Sequence, residues 1–159
     1  MKDIRIKIHS ELYEVEASLF TEETEEIDFF AEDGNNPVEP EIMEINSVGR
    51  YSDDGQRIAI SYEESEATGM VGSTTTLSFL KSNPEIVTMS RDGAVSATLV
   101  FEEVKRHHCI YKTPFMPFEV CVHTTKVLNN ISLGNLELDY IVEIRGAKAE
   151  RTKFKMQIL

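Results

Sequence analysis

Apolar and polar residues alternate strictly along several short stretches of the chain. This is the signature of half-buried β-strands that turn one face to a core. Ile4, Ile6 and Ile8 share a face of the first stretch. Ile58, Ile60 and Tyr62 share a face of another, with Ala59, Ser61 and Glu63 opposite. The same alternation runs through Leu77 and Phe79, through Val87 and Met89, and through Val95, Ala97, Leu99 and Phe101. It returns at Phe118, Val120, Val122 and Thr124, at Leu136, Leu138, Tyr140, Val142 and Ile144, and at Phe154, Met156 and Ile158. Turn-forming residues separate the runs: Asp53-Asp54-Gly55, Ser82-Asn83-Pro84, Asp92-Gly93, Thr113-Pro114 and Arg145-Gly146-Ala147. The one region that reads as helical is short and acidic, around residues 11–30.

About ten strands at a spacing of roughly 8–12 residues predict a sandwich or a closed barrel. Strands as long as 136–144 leave costly edges unless the sheet closes on itself. Tight antiparallel connections favour an up-and-down meander over a Greek key. The expected fold is therefore all-β: a single antiparallel, lipocalin-like, up-and-down β-barrel of about 8–10 strands.

Several motifs occur in a fixed order along this pattern. Tyr62-Glu63-Glu64-Ser65-Glu66-Ala67-Thr68-Gly69-Met70-Val71-Gly72 runs into Thr74-Thr75-Thr76-Leu77. Arg91-Asp92-Gly93, Leu99-Val100-Phe101, Tyr111-Lys112-Thr113-Pro114-Phe115, Val122-His123-Thr124 and Leu136-Glu137-Leu138-Asp139-Tyr140 follow. Together they resemble the YwiB-like family of bacterial proteins, over residues 48–158 and the first strand. The resemblance implies a calycin-like (lipocalin-like) barrel, and the family is a domain of unknown function. Where that family commonly has Thr-Pro-Tyr-Gly, this chain has Thr113-Pro114-Phe115-Met116, so its turn has to be built without the glycine. The acidic stretch before Ile42 is also longer than the family pattern suggests.

Charge changes the picture in one place. The chain of 159 residues carries a formal charge of −12. Of its 28 acidic residues, 13 fall within residues 8–49, which hold no lysine or arginine. The expected organisation is one domain over 1–159 with an acidic, mobile excursion at about 20–41, a solvated connection or a docking segment for a basic protein partner. Such a surface repels phosphate backbones, so nucleic acid is a disfavoured partner. No apolar run approaches the length of a membrane span, and the N-terminus lacks the apolar core of a signal peptide. With two cysteines, the composition points to a reducing cytoplasm.

Strand parity also singles out polar residues that share a face with core positions. Glu64 shares the parity of Ile58, Ile60 and Tyr62, and Arg91 that of Val87 and Met89. Tyr111, Thr113, Thr124 and Tyr140 fall on inward parities too. An isolated buried charge costs several kcal/mol, so an inward carboxylate and guanidinium are expected to meet, directly or through tyrosine hydroxyls. The alternative is that both sit at strand ends and reach water. Tyr62, Glu64, Arg91, Tyr111, Thr113, Thr124 and Tyr140 are thus the candidate ligand-binding residues, with Arg91 suited to an anionic head group.

A hairpin centred on Pro114 with paired numbers summing to 230 would set Cys109 opposite Cys121 and His107 opposite His123, a set able to hold zinc or form a disulfide. A one-residue slip would disperse it, and Val120 and Val122 claim the inward parity, so no metal and no cofactor are expected. Signatures of a nucleophile elbow, a phosphate-binding loop or a zinc helix are missing. Gly69-Met70-Val71-Gly72-Ser73 precedes a strand instead of a helix. Adjacent acids such as Glu63-Glu64 and Glu102-Glu103 point to opposite faces, which is wrong for a cooperating acid and base. The leading functional reading is a non-enzymatic small-ligand-binding barrel. The others are an interaction module that uses the acidic segment, and an enzyme with an internal barrel site.

Overall fold

The structure, a computed structural model, describes residues 1–15, 39–64, 71–144 and 148–159. Ten strands form one antiparallel sheet: β1 (Lys2–Val15), β2 (Glu41–Asp53), β3 (Arg57–Glu63), β4 (Thr74–Leu80), β5 (Asn83–Asp92), β6 (Ala97–Phe101), β7 (Arg106–Lys112), β8 (Pro117–Asn130), β9 (Asn135–Ile144) and β10 (Lys148–Ile158). Every strand from β1 to β6, and from β7 to β10, pairs with its neighbour in sequence, and β1 pairs with β10. The meander therefore curls round until β6 and β7 meet. There the seam is bridged at Ser96 and Lys112, whose backbones exchange hydrogen bonds of 2.9 and 2.8 Å. The result is the nearly closed up-and-down barrel that the alternation predicts.

The inward face of each strand is apolar because the side-chain period is two and the interior is dry. Ile6, Ile60, Leu77, Val87, Phe101, Val122, Leu138 and Met156 are fully buried in one cluster. Phe101 and Tyr140 pack with ring centroids 4.5 Å apart at its middle. The sole helical element among the described residues is a single 3-10 turn, Ile131–Leu133, closed by Gly134 in the left-handed region at φ 86°.

Two local expectations need correcting, and one strand lies outside the alternation. Residues 11–15 are strand, not helix: they complete β1, which pairs with β10 as far as Ala149. The rest of the acidic stretch, 16–38, lies outside the described residues. The strand β2 has no alternating signature of its own. Its inward positions include Ser47 and Gly49, while Ile42 and Val48 point outward, exposed. The hairpin of β7 and β8 pairs Cys109 with Val120 and His107 with Val122, one residue away from the 230 register.

Strand β8 also carries a bulge between Thr124 and Lys126, where the Thr125 hydroxyl donates to the Asp139 carbonyl at 2.9 Å. The bulge resets parity, so Thr124 and Val127 both face inward. Beneath it, the β6–β7 turn is tied to β8 by Val104 N–H donating to the Thr124 carbonyl at 2.9 Å. Val104 adopts φ 65°, a left-handed conformation hostile to a β-branched residue. Val104→Gly is expected to leave the fold intact and raise stability by about 1 kcal/mol, because the relieved strain exceeds glycine's extra chain entropy. A thermal melt would show it, and a Tm below that of the parent chain would refute it.

Candidate functional site

Strand pairing brings the inward polar residues together without help from loops. Tyr62 lies opposite Thr75, and Thr75 opposite Arg91, in a row across β3, β4 and β5. Just past the end of β3, the Glu64 N–H donates to the Ser73 carbonyl at 2.9 Å, which carries the pairing on and keeps Glu64 inward. The Thr75 hydroxyl is the hub. It donates to Glu64 Oε1 at 2.6 Å and accepts from Arg91 Nε at 3.4 Å. A short O–H to carboxylate bond of this kind is charge-assisted and strong. Arg91 Nη2 itself stands 3.8 Å from Glu64 Oε1. The carboxylate is 2% exposed and the guanidinium 17%, so the pair is partly open on the arginine side.

Three phenols surround this pair. Burial pushes the Tyr62 phenol well above its usual range, with the Glu64 charge adding and the Arg91 charge opposing. Burial likewise raises Tyr111, against the pull of Arg91. Tyr140 is pushed up to about 12 by burial, reinforced by Tyr111 and opposed by Arg91. All three therefore keep their protons at neutral pH and can donate. Arg91 and the tyrosines make the site rich in donors. Glu64 is its nearest acceptor, and Glu150 reaches Tyr111 and Tyr140 electrostatically from β10.

Above this floor the wall is uneven. Strand β3 pairs with β2 only along Gly49–Asp53, so residues 41–48 of β2 rise past its end together with the upper parts of β1, β10 and β9. The inward side of that taller wall carries the half-buried apolar residues Leu12, Ile45, Val142 and Ile144, with Ser10, Ser47 and Thr152 among them. Tyr111 and Phe118 stack beside it with centroids 5.4 Å apart. The barrel mouth thus has a polar floor and a wall with apolar stretches.

Of the candidates read from parity, Tyr62, Glu64, Arg91, Tyr111 and Tyr140 come together. Thr124 is fully buried on the inward face opposite Tyr140, and its hydroxyl has no hydrogen-bond partner among the described residues. Thr113 is spent elsewhere. Its Oγ1 accepts from the Phe115 and Met116 N–H groups at 3.3 and 3.2 Å and donates to the Met116 carbonyl at 2.7 Å. That is how the β7–β8 turn closes without a glycine. The missed members are Thr75, on the parity of Leu77 and Phe79, and Glu150, on that of Phe154 and Met156. Extending each alternation by two or four residues reaches them.

The cysteine and histidine set does not converge. Cys109 and His107 share the inward parity with Val120 and Val122, whereas Cys121 lies outward opposite His108. His107 bonds Glu102 at 3.1 Å, and His108 bonds Glu119 at 3.2 Å. Burial pushes the Cys109 thiol up to about 11, with Cys121 adding to it, which disfavours the thiolate a metal would need. Among the described residues no group of three or more such ligands forms.

Comparison with known proteins agrees with this architecture. A family model described as a domain of unknown function, DUF1934, matches residues 27–156. The crystal structure of the ywiB protein from Bacillus subtilis is similar to the chain at 15% identity and a TM-score of 0.63, over 99% of this chain and 93% of that one. The likeness is one of fold. No curated protein matches the chain.

The floor predicts a measurable coupling. Arg91→Met strands the buried Glu64 carboxylate and is expected to cost about 3–5 kcal/mol. The double variant Glu64→Gln/Arg91→Met is expected to recover much of that loss in chemical denaturation. Strictly additive losses would mean that the two groups do not interact.

Proposed function

We propose, for a chain that belongs to the DUF1934 family of domains of unknown function, that the barrel mouth binds a small molecule with an anionic group on an apolar body. The observation that carries this reading is the seating of Arg91. Its guanidinium is mostly buried, yet its two described contacts are long, at 3.4 and 3.8 Å. A planar guanidinium offers five donors in a fork, and a carboxylate is the acceptor that fits two of them at once. The protonated tyrosines supply further donors, and Leu12, Ile45, Val142 and Ile144 supply a surface for the apolar part. The site positions and neutralises a ligand, and the reading is one of binding, not turnover. No helix among the described residues is long and apolar enough to cross a membrane. Cys109 and Cys121 lie on opposite faces and are not joined by a disulfide, which supports placing this function in a reducing cytoplasm.

Calorimetric titration with octanoate, octanol and octylamine tests the reading. Octanoate is expected to bind saturably, with octanol and octylamine weaker by about tenfold or more. Arg91→Lys keeps the charge beside Glu64 but loses the fork, and is expected to weaken octanoate by about tenfold while the chain stays folded. Equal binding of all three probes, or no saturable binding of octanoate, would overturn it.

A further inference from the structure

The outside of the barrel holds a second concavity, unrelated to the mouth. It is a groove of about 570 Å³ that crosses β2, β1, β10, β9 and β8. Register sets its lining in two rows. In the first, Glu44, His9, Lys155, Glu137 and Leu128 stand side by side. His9 Nδ1 contacts Glu44 Oε1 at 3.0 Å, and the Glu137 carboxylate pairs with Lys126 at 3.2 Å and Lys155 at 3.3 Å. Although its partial burial acts the other way, the hydrogen bonds from these two lysines hold the Glu137 carboxyl below its usual range. In the second row stand Lys7, Gln157, Asn135 and Asn130. Lys7 joins no ion pair formed among the described residues, so this row presents a positive charge among three side-chain amides. The Asn135 amide donates weakly to the Leu133 carbonyl at 3.4 Å.

We infer that this groove is a binding site for a small, hydroxyl-rich anion of the sugar-phosphate class. Lys7 supplies the point charge that a phosphate takes up readily. Side-chain amides donate and accept at once, which matches neighbouring hydroxyls that do the same. Among the described residues that line the groove, Leu128 is the one apolar side chain facing it, since Leu136 and Met156 are fully buried on the inner side. A hydrocarbon ligand would find little to rest on.

Two-dimensional NMR of the full chain, titrated with glucose 6-phosphate, glucose and inorganic phosphate, reads the site directly. Saturable shifts confined to β1, β9 and β10 near Lys7 are expected with glucose 6-phosphate, and about tenfold weaker binding with either fragment alone. Lys7→Gln is expected to lower affinity by about tenfold and Lys7→Arg to retain it, while Arg91→Lys leaves it unchanged. Three outcomes would overturn the inference: no saturable shift up to about 10 mM, equal binding by Lys7→Gln, or phosphate alone binding as tightly as the sugar phosphate. Failure of octanoate binding at the mouth would leave this result standing, because the two sites share no residue.

Discussion

A closed meander sends every second residue of its strands into one dry space, and a charge placed there has to be answered from within. Glu64 and Arg91 are such charges. The fold answers them with Thr75, whose hydroxyl bonds the carboxylate at 2.6 Å and touches the guanidinium at 3.4 Å. The row of Tyr62, Thr75 and Arg91 is fixed by the pairing of β3, β4 and β5, so the site is as rigid as the sheet itself. Arg91 is held in place without being saturated, and the proposed ligand-binding reading rests on that imbalance.

The second determinant is unequal strand length. With 13 or 14 residues in β2 and β1 and 7 in β3 and β4, the barrel wall cannot be level. The tall side shows half-buried apolar residues to the mouth, and the short side carries the polar floor. The polar groove lies on the outer face of β2, β1, β10, β9 and β8. The two concavities differ in character. The inner one is apolar with a forked cation, and the outer one is amide-lined with a point charge.

Much of this was legible in the residues. Period-two alternation marks the strands with apolar inner faces, and parity alone puts Glu64 and Arg91 on the same side of the sheet. Tyr111 and Tyr140 were found the same way. Strand β2 escaped because Ser47 and Gly49 occupy inward positions while Ile42 and Val48 face out, which cancels the alternation. The β7–β8 register escaped because the turn closes through the Thr113 hydroxyl, a side-chain hydrogen-bond detail that turn composition does not fix. Thr113 itself followed the inward parity but is consumed by that turn. The Thr124 bulge shifts parity within one strand, and the outer groove depends on a register across five strands that no local pattern encodes.

The most direct test of the central claim is a crystal structure of the chain soaked with octanoate. The account predicts the carboxylate on the Arg91 fork above Thr75, with the hydrocarbon tail along Ile45, Val142 and Ile144. A carboxylate bound away from Arg91, or a mouth closed by the protein's own side chains with Arg91 sealed beneath them, would contradict it.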